Sequence, residues 1–183
     1  MTDPLQTQAI APAVVLRGEG AWREALPRIV DLGRRPLLLG RSASTYGLRQ
    51  QLAADLEQGG ACPVVSQDLR DCCDDDLGLL ARDAAAAGCD AVIAAGGGKV
   101  LDAGKLLAHR LGLPCITVPT SAATCAGWTA LANLYTPEGA FLGDVALDRC
   151  PDLLVFDHAL VRQAPPRTLA SGIADAVAKW YEA

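Results

Sequence analysis

The sequence has few aromatic residues and few lysines, and both shortages limit what the protein can be. Aromatic residues make up 4% of the 183 residues, so other apolar residues, mainly alanine and leucine, must fill a core. Only three of the 16 basic residues are lysines, and 21 acidic residues give a formal charge of −5. Such a charge offers no cationic surface to a nucleic-acid backbone, so we expect no nucleic-acid partner.

The sequence also lacks the features of membrane and secreted proteins. No uncharged apolar run reaches the length of about 18 residues that a transmembrane helix requires, and the first residues include no basic segment. The seven cysteines contain no C-x-x-C pair and are odd in number, which favours reduced thiols over a disulfide scaffold or a zinc ribbon. We therefore expect a cytoplasmic protein without a membrane partner.

Short apolar runs alternate with longer segments of helical period, and this alternation predicts the fold. Strands separated by helices form a parallel sheet with helices on both faces, so we expect a doubly wound, Rossmann-like α/β domain. We expect Ser44 or a neighbouring residue to cap the second helix. The predicted strands cover residues 13–16, 36–39, 62–65, 90–95, 115–118 and 153–156, and the helices cover 21–32, about 45–58, 74–87 and 98–111. Two further strands, 129–135 and 140–145, predict an antiparallel β-hairpin.

The end of the chain predicts an amphipathic helix without a partner. From Pro166 onward, one helical face collects Leu169, Ile173, Ala176, Val177 and Trp180. This helix either docks on the α/β domain or begins a second domain that the chain lacks. We divide the chain into an α/β domain over 1–160 and the first helix of a helical domain over 161–183.

The longest glycine run, Gly96 to Gly98, lies between a predicted strand and a predicted helix. Glycines let backbone N–H groups approach a ligand closely, and a helix N-terminus favours an anion. Lys99 and Lys105 follow the run, so we interpret it as a phosphate or pyrophosphate site, with a simple tight turn as the alternative. It matches neither G-x-x-x-x-G-K-[ST] nor G-x-G-x-x-G.

A segment rich in hydroxyl groups, PTSAATCAGWT, follows the fifth predicted strand. The carboxyl end of a parallel strand commonly lines a ligand crevice, and hydroxyl side chains suit such a position. Loops of this composition also often hydrogen-bond only to themselves, so both interpretations stay open.

Four segments in order resemble the N-terminal half of the glycerol dehydrogenase branch of the iron-containing (group III) alcohol dehydrogenases. They are GGGKVLDAGK, PTSAATCAGWTALANLYT, PDLLVFD and APPRTLASGIADAVAKWYEA, within a resemblance that spans residues 12–183. The resemblance implies an NAD(P)-binding α/β domain, an all-helical domain, and zinc or iron in the cleft between them. It further implies hydride transfer between NAD or NADP and a small alcohol or polyol, or its carbonyl, by a homo-oligomer.

The resemblance also implies which residues bind the cofactor. Gly97, Gly98 and Lys99 match the positions at the pyrophosphate, and Asp102 completes that motif. The residues that match the adenine and nicotinamide sides are Thr120, Thr129, Leu131 and Tyr135.

For the metal, the resemblance implies one ligand in this chain. Asp175 matches the aspartate of the family's G-x-x-D-A segment, although Lys179, four residues on, offers an ordinary ion pair instead. The family's other two ligands are histidines of the helical domain. The two histidines present, His109 and His158, lie on no such motif, so we expect both to be structural.

Two positions depart from the family pattern. Arg41 stands where NAD-preferring relatives carry an aspartate at the ribose, and a cation there suits a 2′-phosphate, so NADP would be tolerated or preferred. Alternatively, Arg41 is merely solvated. Cys125 stands where the glycerol-using relatives carry an aspartate that contacts substrate hydroxyls, which predicts a less polar substrate pocket and poor use of glycerol.

Three functions therefore stay in view. The first is a metal-dependent NAD(P) oxidoreductase, and the second is a nucleotide-binding module or inactive half-enzyme. The third, a dehydroquinate synthase-like lyase, ranks below them because a second G-G-K-T-G-type segment is missing. We expect the 183-residue chain alone to bind cofactor weakly and not to catalyse, since a catalytic metal site needs about three protein ligands.

Overall fold

A computed structural model describes residues 11–182 of the chain. Helices and strands follow one another much as the sequence predicts. In chain order they are β1 (Val14–Gly18), α1 (Ala21–Leu32), β2 (Pro36–Leu39), α2 (Tyr46–Gln58), β3 (Val64–Val65), α3 (Asp74–Ala87), β4 (Ala91–Gly96), α4 (Gly98–Leu111), β5 (Cys115–Pro119), β6 (Leu131–Tyr135), β7 (Phe141–Ala146), β8 (Leu153–Asp157), α5 (His158–Val161) and α6 (Pro166–Glu182).

Six strands form one parallel sheet in the order β1-β8-β5-β4-β2-β3. In the middle of this sheet, Ile93 of β4 lies between Leu38 of β2 and Ile116 of β5. The strands β6 and β7 form a separate antiparallel hairpin. The Rossmann-like sheet and the hairpin are thereby confirmed.

The helices cover both faces of the sheet, because successive side chains of a strand point to opposite faces. Leu37 and Leu39 of β2 pack in one core with α3, α4 and the hairpin, whereas Leu38 packs in a second core with α1 and α2. Burial on both faces explains why the central strands read as continuous apolar runs in the sequence.

The entry into α2 differs from the prediction that Ser44 or a neighbour caps it. Thr45 precedes the helix at φ −103° and ψ 5°, and no side chain caps the helix there. The chain enters through a 3-10 turn over Ala43–Thr45 instead of the extended N-cap conformation that directs a side chain to the helix N–H groups. The hydroxyl of Thr45 donates to the backbone oxygen of Ser42 at 2.9 Å, and the Ser42 and Ser44 hydroxyls lie 2.8 Å apart.

The backbone of helix α6 approaches the loop after β5 closely at Gly172, while the apolar face of the helix is exposed. A Cβ atom at Gly172 would lie 1.8 Å from the backbone oxygen of Ala122, so only glycine permits this approach to the loop after β5. The large apolar side chains of α6 are between 54% and 85% exposed; they are Leu169, Ile173, Val177, Trp180 and Tyr181. Within residues 11–182, no helix combines the length and the apolar character needed to cross a membrane.

Candidate functional site

The loops that follow β2, β4 and β5 meet at the carboxyl edge of the sheet. The loop after β2 and the turn after β4 line a cavity of about 270 Å³. Its lining combines a glycine turn, two cations and two hydroxyl groups, and consists of Arg41, Ser42, Thr45, Ala95, Gly96, Gly97, Gly98, Lys99 and Val100. This edge is where ligands bind in open α/β sheets.

The glycine turn forms the floor of the cavity and opens α4. The backbone N–H of Thr120 donates to the backbone oxygen of Gly96 at 3.0 Å, which joins the ends of β4 and β5. A Cβ atom at Gly96 would lie 2.7 Å from Cβ of Val100, so the turn packs too closely for a side chain. The first turn of α4 leaves backbone N–H groups without intrahelical partners, and its partial positive charge suits a phosphate.

Two cations at the cavity share one buried carboxylate. Lys99 Nζ donates to Asp71 Oδ2 at 2.5 Å and lies 4.1 Å from the ring centroid of Tyr135. Arg41 Nη2 lies 3.7 Å from the same oxygen, and Arg41 Nε donates to the backbone oxygen of Arg70 at 2.8 Å. Asp71 is 4% exposed. Arg41 is therefore held by protein groups, not merely solvated as one reading of the sequence allowed.

Sequence reasoning missed Asp71, and a second carboxylate explains how its loop is positioned. Asp76, in the first turn of α3, accepts hydrogen bonds from the backbone N–H groups of Arg70 at 2.7 Å and Asp71 at 3.1 Å. Burial acts to raise the pKa of Asp76, but the hydrogen bonds from the Arg70 side chain and from both N–H groups outweigh it, so the pKa lies below its ordinary value.

A buried polar cluster ties α4 to the hairpin. Lys105 Nζ lies 3.0 Å from Asp102 Oδ1, and it donates to Thr129 Oγ1 at 3.1 Å and to the backbone oxygen of Leu131. Burial raises the pKa of Asp102, and Lys105 and the backbone N–H of Asn133 partly offset this shift. Lys105 is 2% exposed, so it is not a second lysine of the cavity as the glycine run suggested.

The predicted cofactor residues are thus distributed over two adjoining cavities and the buried polar cluster. Gly97, Gly98, Lys99 and Arg41 line the cavity. Thr120 lines an adjoining cavity of about 340 Å³, which shares Thr45 with the first. Tyr135 contacts Lys99, whereas the remaining three lie in or beside the buried polar cluster and line neither cavity; these are Asp102, Thr129 and Leu131. Their roles at a cofactor stay predictions.

The predicted substrate and metal residues lie near α6. Cys125 is exposed and precedes a 3-10 turn over Ala126–Trp128. Asp175 Oδ1 lies 3.7 Å from Lys179 Nζ, which also donates to Glu182 at 2.6 Å, so the i,i+4 ion pair forms. In the part of the chain that the structure describes, no three His, Cys, Asp or Glu side chains cluster closely enough to hold a metal ion.

A comparison with protein families shows which family the chain belongs to. Residues 12–158 match the family model described as iron-containing alcohol dehydrogenase. The chain belongs to the iron-containing alcohol dehydrogenase family. The resemblance found in the sequence is confirmed, and the cavity lies within the part of the chain that the family model matches.

Individual members of the iron-containing alcohol dehydrogenase family extend this result. The chain is 47% identical to an uncharacterised oxidoreductase of Synechocystis sp., covering 100% of this chain and 47% of the relative. It is 42% identical to a glycerol dehydrogenase of Escherichia coli, covering 94% of this chain and 47% of the relative. A crystal structure of a probable glycerol dehydrogenase from Sinorhizobium meliloti superposes with a TM-score of 0.83 at 28% identity. The superposition covers 95% of this chain and 47% of that structure's chain. The chain therefore spans about half the length of these relatives.

Proposed function

We propose that this chain is the nucleotide-binding part of an oxidoreductase that transfers a hydride between NAD or NADP and a small alcohol or polyol, or its carbonyl. The observation that carries the proposal is the glycine turn at the start of α4, which faces a cavity lined by Arg41 and Lys99. Membership of the iron-containing alcohol dehydrogenase family supports the class of reaction. Glycerol dehydrogenases among the relatives support an alcohol or polyol substrate.

The chain's own residues bind and orient the dinucleotide. Backbone N–H groups of Gly97 and Gly98 and the ammonium group of Lys99 bind the pyrophosphate, because the partial positive charge of the helix N-terminus and the full charge of the lysine converge there. Tyr135 supports Lys99 through its ring face. Arg41, at the same cavity, gives the site a cation that can meet a 2′-phosphate, so the site accepts NADP as well as NAD. When bound, the nicotinamide ring supplies the hydride donor or acceptor.

The metal site is not complete within residues 11–182. A catalytic zinc or iron site uses about three protein ligands, and Asp175 is the one candidate that the family motif offers here. Asp175 is half exposed and paired with Lys179, with no cluster of further ligands beside it in the described residues. We propose Asp175 as one ligand of a site shared with a helical domain that begins at residue 161, whose other ligands lie in the length of the relatives that this chain does not span.

Titration of the protein with NADH and NADPH, followed by nicotinamide fluorescence, tests the binding proposal. Lys99→Ala should raise both dissociation constants by about tenfold, because it removes a partly buried charge contact to phosphate. Lys179→Ala removes the same charge from α6 and should leave both constants unchanged. Absence of binding by the unmodified protein, or equal effects of the two substitutions, would show that the cavity is not a dinucleotide site.

A further inference from the structure

We propose that Asp71 determines the nucleotide preference of the cavity by neutralising the arginine that a 2′-phosphate would need. This inference rests on the proposed function, since it assigns a specificity role within the same site. Asp71 would be a positioning residue that acts through Arg41 and Lys99.

The Asp71 carboxylate lies between two cations. One oxygen, Asp71 Oδ2, lies 2.5 Å from Lys99 Nζ and 3.7 Å from Arg41 Nη2. One negative charge therefore serves two positive charges. The Asp71 side chain is 6% exposed, so water screens these attractions less than it screens a surface ion pair.

The Asp71 carboxylate is held more firmly than the Arg41 guanidinium. Asp71 Oδ1 accepts a hydrogen bond from the N–H of Cys72 at 2.8 Å, and Asp76 holds the N–H of Asp71 itself. The backbone oxygen of Cys72 accepts from the N–H of Tyr135 at 2.8 Å, which attaches this loop to β6. The Arg41 side chain, in contrast, is 43% exposed. Its Nε donates to the backbone oxygen of Arg70, but its Nη2 lies 3.7 Å from Asp71, too far for a hydrogen bond, so this end of the guanidinium can meet a ligand.

The two nucleotides differ at the 2′ position of the adenosine ribose. NAD and NADP share the pyrophosphate, so Lys99 and the glycine turn treat them alike. Only NADP carries the 2′-phosphate, which must draw Arg41 away from Asp71 and lie near the carboxylate's own negative charge. Asp71 thus penalises NADP more than NAD, and the unmodified protein binds both nucleotides but favours NAD.

Asp71→Asn is the decisive substitution, because it removes the charge and keeps an oxygen that can accept from the N–H of Cys72. Dissociation constants of NADH and NADPH are measured by nicotinamide fluorescence. We expect the preference for NADPH over NADH to rise by about fivefold, the size of one partly exposed charge contact. Asp148→Asn removes the same charge from a side chain that is 92% exposed, and it should leave the ratio unchanged.

The Arg41→Ala variant tests whether Asp71 acts on the nucleotide preference through Arg41. In the Arg41→Ala background, Asp71→Asn should change the ratio of the two constants by less than about twofold, because only the direct repulsion between the carboxylate and the 2′-phosphate remains. A shift as large as in the parent would mean that Asp71 does not act through Arg41. Asp71→Ser serves as a second neutral variant in case the asparagine variant does not fold, and it should shift the ratio in the same direction.

The outcomes separate this inference from the function on which it rests. Binding of neither nucleotide by the unmodified protein overturns the proposed function and the role of Asp71 together. Binding of both with an unchanged ratio in the neutral variants overturns only the role of Asp71. Equal weakening of both nucleotides also overturns it, because that pattern indicates a structural role alone.

Discussion

At the scale of single residues, Asp76 holds the loop that carries Asp71. Asp76→Ala would leave the backbone N–H groups of Arg70 and Asp71 without their acceptor, so we expect the free energy of unfolding to fall by about 1–3 kcal/mol. Urea unfolding followed by circular dichroism measures this change. Asp83→Ala, at an exposed position of the same helix, should change it by less than about 0.5 kcal/mol. Similar losses in both variants would contradict the assignment.

Asp76 also makes the stability of the fold depend on pH. Its folded-state pKa lies below the ordinary value, so its ionised form stabilises the fold at pH above about 4. This contribution is lost as the pH falls through the lower, folded-state pKa. The difference in unfolding free energy between the unmodified protein and Asp76→Ala should therefore shrink as the pH falls from about 5 to about 2. A difference that stays constant over this range would mean that the charge of Asp76 is not responsible.

Cys125 carries the prediction about substrate. A thiol accepts hydrogen bonds poorly and carries no charge. Glycerol should therefore be a poor substrate of a full-length enzyme that includes this chain. Cys125→Asp restores an acceptor for hydroxyl groups and should lower the KM for glycerol by about tenfold. Cys62→Asp changes another exposed cysteine and serves as the control. Efficient glycerol oxidation by the parent, with no gain from Cys125→Asp, would contradict the prediction.

At the scale of elements, α4 and the hairpin are joined by the Lys105 and Asp102 pair. Lys105→Met leaves the buried Asp102 carboxylate without its cation, and we expect a loss of about 3–5 kcal/mol in unfolding free energy. Adding Asp102→Asn removes the uncompensated charge, so the double variant should regain part of that loss. Thermal unfolding of both variants measures the difference. A double variant less stable than Lys105→Met would show that the charge of Asp102 is not the cause.

The elements themselves could be predicted because their signals are local. Burial on both faces makes β4 a continuous apolar run, and Gly88 ends α3 at a φ of 67°, which the sequence marks with a glycine. The site could be predicted only in part. The glycine turn is one continuous segment of sequence. Asp71, Lys99 and Arg41, however, come from three separate segments, and no spacing in the sequence shows that they contact one another. The expectation that Lys105 lies with Lys99 at the phosphate site is wrong for a related reason, since the partners of Lys105 lie on or next to the hairpin.

At the scale of the whole molecule, the described residues leave the apolar face of α6 exposed and offer Asp175 as the one candidate metal ligand of the family motif. We expect the 183-residue chain to bind nucleotide weakly and to show no turnover, whereas a longer native product with further metal ligands turns over. The two proteins are assayed side by side with zinc or iron(II) and both nicotinamide cofactors. Comparable turnover by the short chain would mean that Asp175 is not one ligand of a shared site.

The order of strands in the sheet predicts in what order the strands pair during synthesis. The strand β8 lies between β1 and β5, and all five residues of β1 pair with β8. A ribosome therefore releases β1 first, yet β1 has no neighbour in the sheet until residues 153–157 emerge. Proteolysis of nascent chains stalled before and after β8 follows this order directly. Among the described strands, β1 comes first in the chain yet joins the sheet only when β8, the strand before α5, is in place.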